Sequence, residues 1–141
     1  MPNQSIELHD SQLAVLWYEQ NGEAILIFSA LYIHQSEGQP GIDLGTGWFQ
    51  RAEMVIEDAS LTEFIREWPC LIYGGEVEMD GAIFSNCAPL PLMCKSSFRI
   101  LLEALDNSGN GSHRRIEITG SSVGLTLLGK PGHVEKFPGT G

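Results

Sequence analysis

Two apolar runs that meet at Asn21-Gly22 constrain the fold of this chain more than any other feature. The runs LAVLWY (13–18) and AILIFSALYI (24–33) have the length and the aliphatic and aromatic content of β-strands. Asn-Gly tolerates positive φ and is typical of the type I′ turn that joins two antiparallel strands. Both faces of the first run are apolar. The pair therefore predicts a β-hairpin that is covered on both sides.

Similar short apolar segments follow along the rest of the chain, separated by turn residues. In RAEMVIED (51–58) the residues Ala52, Met54 and Ile56 share one face, and FRILLEAL (98–105) places Phe98, Ile100, Leu102 and Ala104 inward. Further hairpins are predicted at GG (74–75), DG (80–81), DNSGNGSH (106–113) and TGSS (119–122). The pattern predicts one all-β domain over residues 1–141, with eight or nine mainly antiparallel strands as a barrel or a two-sheet sandwich.

One segment has helical rather than strand periodicity. In SLTEFIREWP (60–69), Ser60 and Glu63 form a capping box, and Pro69 ends the apolar stripe. This predicts one short helix near residues 61–67. The last few residues, PGTG (138–141), are expected to be flexible.

Length and composition favour a single cytoplasmic domain. A chain of 141 residues that is 43% apolar can bury one core. The run 24–33 is too short to span a bilayer as a helix, and the start MPNQSIELHDS has neither the basic nor the apolar block of a secretory signal. The three cysteines are odd in number and form no C-x-x-C pair, which predicts free thiols.

The net charge of −10 is concentrated in the first half of the chain. Residues 1–70 carry a charge of −9, and residues 71–141 carry −1. An acidic surface repels phosphates and anionic lipids, so we expect neither a nucleic acid nor a membrane as partner. A protein with a basic surface, or a second copy in a homo-oligomer, is the predicted partner. Acidic charge also serves solubility alone.

The triplet His9-Asp10-Ser11 contains the residue types of a catalytic triad, yet three consecutive residues cannot converge on one reacting atom. Short polar side chains such as Asp10 and Ser11 bond to nearby backbone and fix bends. The triplet therefore predicts a corner, with His9 on the face opposite Asp10.

Two irregular connections are the predicted binding region. QSEGQPGIDLGTG (35–47) is a long loop rich in glycine, and SNCAPLPLMCKSS (85–97) carries two prolines that suit an edge segment. The candidate binding residues at the first connection are His34, Glu37, Asp43 and Trp48. No catalytic motif is assembled, so the sequence favours a non-enzymatic binding or protein-interaction module of unknown specificity, with an acidic face.

The alternative is a small-molecule-binding or metal-binding β-barrel similar to a cupin, with its site near His34 and Glu37. Cupins place an H-x-H pair before a Glu and a later His; here IHQSEG supplies one His and one Glu, and His133 is the later candidate. The candidate metal set is thus His34, Glu37 and His133. GIDLGTG (41–47) lacks the Lys-Ser/Thr of a phosphate loop, and no cofactor is predicted.

The segments ELHDSQL, YIHQSEGQPGIDLGTGW, YGGEVEMDG, APLPL and LLGKPGHVEKFPG together resemble a group of small bacterial proteins of unassigned activity. Members begin with His-Asp-Ser-x-Leu and end with Val-Glu-x-Phe-Pro. A more distant likeness, carried by residues 8–13, is to small immunity-type proteins of bacterial toxin systems. The resemblance implies a β-rich bacterial protein and assigns no functional residue.

Overall fold

A computed structural model describes residues 2–61, 69–106 and 113–140, in which every regular element is a β-strand. None of the described residues forms a helix long and apolar enough to cross a membrane. The strands are β1 (Asn3–Tyr18), β2 (Ala24–Ser36), β3 (Gly45–Glu57), β4 (Ser60–Leu61), β5 (Cys70–Met79), β6 (Ala82–Ser85), β7 (Cys87–Pro89), β8 (Met93–Cys94), β9 (Phe98–Asp106), β10 (His113–Gly120), β11 (Ser122–Leu128) and β12 (Glu135–Phe137).

All twelve strands belong to one curled antiparallel sheet that forms a half-barrel. The order along the sheet is β4-β10-β9-β5-β1-β2-β3-β11-β8, with β6 added to β5, β7 to β1 and β12 to β3. The all-β prediction is confirmed. The strand number of eight or nine was too low, because β4, β7, β8 and β12 have only two or three residues each and leave no periodic signal.

The inner face of the curl carries the core, and the predicted strand faces are confirmed. The predicted inward side chains of β3 and β9 are at most 1% exposed: Ala52, Met54 and Ile56 in β3, and Phe98, Ile100, Leu102 and Ala104 in β9. Burial of such side chains is worth about 1.5–3 kcal/mol each for the larger ones. The curl therefore encloses a continuous aliphatic core.

The β1–β2 hairpin is confirmed, but its turn is not type I′. Gly22 alone has a positive φ, 89°, and its N–H donates to the carbonyl of Glu19. The N–H of Glu19 donates to the carbonyl of Glu23. The loop thus has three residues, a turn closed by a glycine bulge, which is the next commonest hairpin connection. The outer face of this hairpin is also less covered than predicted, since Trp17 is 40% exposed within the described chain.

Among the remaining turns, a hairpin is found where the two flanking strands pair with each other and is not found where they pair with other strands. Asp80 and Gly81 both have positive φ and form the tight turn between β5 and β6, as predicted. Strands β9 and β10 pair across a connection, 107–112, that lies outside the described residues. TGSS is not a hairpin, because β10 pairs with β9 whereas β11 pairs with β3.

Gly74-Gly75 is not a turn either. Both residues lie within β5, where the register against β9 shifts between Ile72 and Gly74. Gly75 has φ 152°, and a Cβ there would collide with the carbonyl oxygen of Leu101. The two glycines therefore let β5 bend closely over β9.

The predicted helix over 61–67 falls almost entirely outside the described residues. Its first residue, Leu61, is the second residue of β4, which pairs with β10. Residues 62–68 are not described.

The corner predicted at His9-Asp10-Ser11 is confirmed. Asp10 has φ 70°, and the buried hydroxyl of Ser11 donates to the carbonyl of Glu7 at 2.7 Å. The same hydroxyl accepts the N–H of Tyr32 at 3.1 Å. The opposite-face prediction is wrong, because the positive φ brings the carboxylate of Asp10 within 3.2 Å of the His9 ring.

This corner makes β1 change partners along one edge. Residues 5–7 pair with β7, whereas Gln12 and Leu13 pair with β5. The main-chain N–H of His9 donates to the side chain of Asn86, which lies between β6 and β7. The bend therefore places β6 and β7 beside the amino-terminal half of β1.

Candidate functional site

The loop between β2 and β3 comprises residues 37–44 and is fixed by hydrogen bonds. The paired residues Ser36 and Gly45 close it, and the Ser36 hydroxyl donates to the carbonyl of Leu44. The carboxylate of Asp43 accepts the N–H of Gln39 at 2.6 Å. Near the carboxyl terminus, the N–H of Thr140 donates to the carbonyl of Ile42. A loop of eight residues with its ends paired is a compact Ω-type loop.

This loop and the predicted edge segment border the same groove. The groove has a volume of about 790 Å³ and is open to solvent. It is lined by Asn3, Gln4 and Ser5 of β1, Gly38, Gln39, Pro40 and Ile42 of the loop, Ile83, Phe84 and Ser85 of β6, and Cys87, Pro89 and Leu90. The two irregular connections that the sequence singles out thus meet in space.

Among the described residues that line the groove, none is Asp, Glu, Lys, Arg or His. Its apolar part includes Ile83, which is 61% exposed, and Ile42, which is 47% exposed. In a chain with a net charge of −10, an uncharged concave surface with exposed isoleucines departs from the average surface. It is suited to an uncharged ligand.

One wall of the groove is a strand edge. Among the described strands, β6 pairs only with β5. Met79 and Ala82 close the two-residue turn and form a hydrogen-bonded pair, so the next pair, Glu78 and Ile83, is of the non-bonded kind. The N–H and C=O of Ile83 therefore point away from β5. Ile83 therefore offers an incoming chain one outward backbone donor and one outward acceptor.

A buried histidine lies beneath the loop. His34 is 3% exposed, and its Nε2 lies 3.3 Å from Oε1 of Glu7. Its ring packs edge-on against Tyr32 and Phe137, with centroids 4.9 Å apart in each pair. Nδ1 of His34 has no hydrogen-bond partner among the described residues. Leu31 and Ile33 face the core, so His34 lies on the outer face of β2, where the loop and β12 cover it.

Cys87 lies beside Glu7 and also faces the groove. It is half-buried, pairs with Glu7 across the β1–β7 ladder and lines the groove. Burial, together with the charge of Glu7, raises the pKa of the Cys87 thiol to about 11. Burial also raises the pKa of Tyr32, with smaller effects from Glu135 and Glu7. At neutral pH the thiol wall of the groove is therefore uncharged.

The structure separates the four predicted binding residues. His34 is buried beneath the loop, and Glu37 is exposed immediately before the groove residue Gly38. Asp43 is exposed and holds the backbone of the loop. Trp48 is 7% exposed and belongs to the core, where its indole N–H donates to Gln50. Trp48 is therefore not part of an exposed contact patch.

The candidate metal set is not brought together. His133 is exposed in the stretch before β12. Within the three described ranges, no group of three or more His, Cys, Asp or Glu side chains is arranged to hold a metal ion. His34 instead has Glu7 and the thiol of Cys87 in its neighbourhood.

Sequence reasoning missed Ile83 as a groove residue, and it placed Cys87 in the edge segment 85–97 without giving it a role of its own. The only sequence signal for them is negative: AIFS and CAP are too short and too exposed to read as core strands. Their position beside β1 depends on the corner at residues 8–11, which is a long-range effect.

Family models, curated proteins and solved structures were each compared with the chain, and none matches. The groove and its surroundings therefore carry the functional argument.

Proposed function

We propose that this protein is a non-enzymatic protein-interaction module that binds an extended, uncharged segment of a partner protein in the groove beside β6. The observation that carries the proposal is an uncharged groove, lined partly by a free strand edge, in a strongly acidic chain. This mode of binding is strand addition, in which an extended segment pairs with a strand edge. Backbone hydrogen bonds supply affinity, and pockets for alternate side chains supply specificity.

The groove has the parts that this mode needs. The outward N–H and C=O of Ile83 would pair with one residue of the segment. The exposed side chains of Ile83 and Ile42 would contact its apolar residues. Because the loop is tied to Ser36, Asp43 and Thr140, little ordering entropy is lost on binding.

The acidic side chains act on the partner from outside the groove. Glu37 lies at the rim, and the net charge of −10 attracts basic groups. We propose that the partner segment is followed by a basic surface, which speeds association and makes it dependent on salt. Glu37 is the better residue to test than Asp43, since replacement of Asp43 would also loosen the loop.

The test begins with selection of binding peptides from a displayed random library, followed by affinity measurements with the selected peptide. The Ile83→Pro variant removes the outward N–H, and its matched control, Ile83→Ala, keeps it. We expect an uncharged consensus of about four residues and a loss of affinity of at least about tenfold in Ile83→Pro relative to Ile83→Ala. Peptides that bind both variants equally would refute strand addition at β6.

A second candidate function is binding of an uncharged small molecule in the same groove. Its volume of about 790 Å³ lies within the usual range for such sites. The deciding measurement is ligand-observed NMR with a library of neutral fragments. Fragments displaced by the selected peptide would support this candidate, whereas an absence of bound fragments would leave the peptide mode alone.

A further inference from the structure

A row of apolar side chains crosses the outer face of the sheet, away from the groove. The register aligns Trp17 of β1 with Ile25, Ile25 with Val55, Val55 with Gly124, and Gly124 with Met93 of β8. Residues directly opposite in antiparallel strands project to the same face. We name these five residues the outer row. It shares no residue with the lining of the groove.

The outer row is accessible in the described chain. Trp17 is 40% exposed and Met93 is 68% exposed, while Ile25 and Val55 are half-buried. Gly124 has open space where a Cβ would lie, which leaves a depression between Val55 and Met93. Four interstrand steps of about 4.8 Å make the row roughly 19 Å long.

Carboxylates flank the outer row, three of them on one side and one on the other. On the side of the β1–β2 turn, Glu19 lies two residues after Trp17, Glu23 two residues before Ile25 and Glu57 two residues after Val55. On the other side, Glu53 lies two residues before Val55. None of the four forms an ion pair with a residue in the described part of the chain. Lys95 is the cation at the Met93 end. The pattern is an apolar line with an acidic margin on one side and a single acid on the other.

We infer that the outer row docks a basic amphipathic helix of a partner protein. Such a helix presents an apolar stripe with Lys or Arg beside it, which complements the apolar line and its acidic margin. A row of roughly 19 Å matches about three and a half helical turns of 5.4 Å. A second copy of this chain would instead bring acidic margins together, which is unfavourable.

The probe is a dye-labelled peptide of 14 Leu and Lys residues that places Leu on one helical face. Its controls are a scrambled peptide of the same composition and a Leu/Glu peptide of the same pattern. We expect the patterned Leu/Lys peptide to bind at least about tenfold more tightly than the scrambled peptide. The Leu/Glu peptide should not bind, since its charge has the wrong sign.

Variants of the protein separate the outer row from overall charge. We expect Met93→Ser and the double variant Glu53→Gln/Glu57→Gln each to weaken binding at least about fivefold. The matched controls are Leu44→Ser, an equally exposed apolar residue, and Glu37→Gln, an acid at the groove. Ile83→Pro should also leave this affinity unchanged, which keeps the result independent of the proposed function.

Three results would overturn the inference. Equal binding of the patterned and scrambled peptides would show attraction by net charge alone. An equal loss of affinity for the Leu/Lys peptide in Glu37→Gln and in Glu53→Gln/Glu57→Gln would also show attraction by net charge alone. Self-association of the wild-type protein that disappears in Met93→Ser would assign the outer row to a second copy of the chain.

Discussion

Oε1 of Glu7 lies 3.3 Å from Nε2 of the buried His34, and on the neighbouring strand Glu7 pairs with Cys87. One carboxylate therefore acts on two groups: it gives the imidazole its hydrogen-bond partner, and its charge disfavours the thiolate. The loop 37–44 covers this arrangement, because Gly41 packs against both His34 and Cys87. A side chain at position 41 would have room but would be strained, because Gly41 has φ 84°.

The Glu7→Gln variant is expected to lower the pKa of the Cys87 thiol from about 11, because it removes a negative charge beside the thiolate. The pKa should stay above the usual value, since burial is the larger cause of the shift. The measurement is the rate of alkylation of Cys87 as a function of pH, read by peptide mass spectrometry. An unchanged profile in Glu7→Gln would contradict the role of the carboxylate.

Cys87 also predicts a dependence of stability on pH. The folded pKa of about 11 lies above the ordinary 9.0, so the neutral thiol favours the folded state. This contribution is fully present below pH 9 and is lost as the pH rises through 11. The difference in unfolding free energy between wild type and Cys87→Ala should therefore be constant below pH 9 and shrink towards pH 11. A constant difference up to pH 11 would argue against the shift.

Ser11 fixes the corner in β1 and should be sensitive to truncation. Its hydroxyl is fully buried and satisfies both the carbonyl of Glu7 and the N–H of Tyr32. Ser11→Ala leaves these groups without that partner, and we expect a loss of about 1–3 kcal/mol in unfolding free energy. Chemical denaturation measures it. The control is Gln12→Ala, at an exposed neighbouring position, which should change stability by less than about 0.5 kcal/mol.

Adjacent glycines in β5 provide a matched pair. Gly75→Ala would place a Cβ against the carbonyl of Leu101 at φ 152°, and we expect a loss of more than about 2 kcal/mol. Gly74→Ala meets no atom within 4 Å and should change stability by less than about 1 kcal/mol. Thermal unfolding of both variants tests the bend, and equal losses would contradict it.

Alternation within single strands predicted the all-β class and the inward faces of β3 and β9, because those features depend on local periodicity. The corner at Asp10-Ser11 was also predictable from local polar chemistry. The short strands β7, β8 and β12 were not, since each exists only through pairing with a distant segment. Gly74-Gly75 was misread because a glycine pair fits both a turn and a bend within a strand.

The candidate site was predicted in outline only. The two connections that border the groove were identified by their unusual glycine and proline content. The exact residues differ, because exposure depends on long-range packing: Trp48 enters the core, whereas Ile83 is left at a strand edge. No spacing in the sequence brings Glu7, His34 and Cys87 together, since they come from three different strands.

The groove is tested most directly by disulfide exchange at Cys87, which lines it. The protein is equilibrated with three short peptides that carry the same terminal mixed disulfide with a small thiol but are uncharged, acidic or basic, at increasing concentrations of reductant; Cys87 attacks the disulfide and releases the small thiol. Intact mass and peptide mapping then separate retention at Cys87 from retention at Cys94. We expect Cys87 to retain the uncharged peptide at the highest reductant concentration, Ile83→Pro to remove this preference, and Cys94 to show none. Equal retention of the three peptides at Cys87 would contradict this expectation.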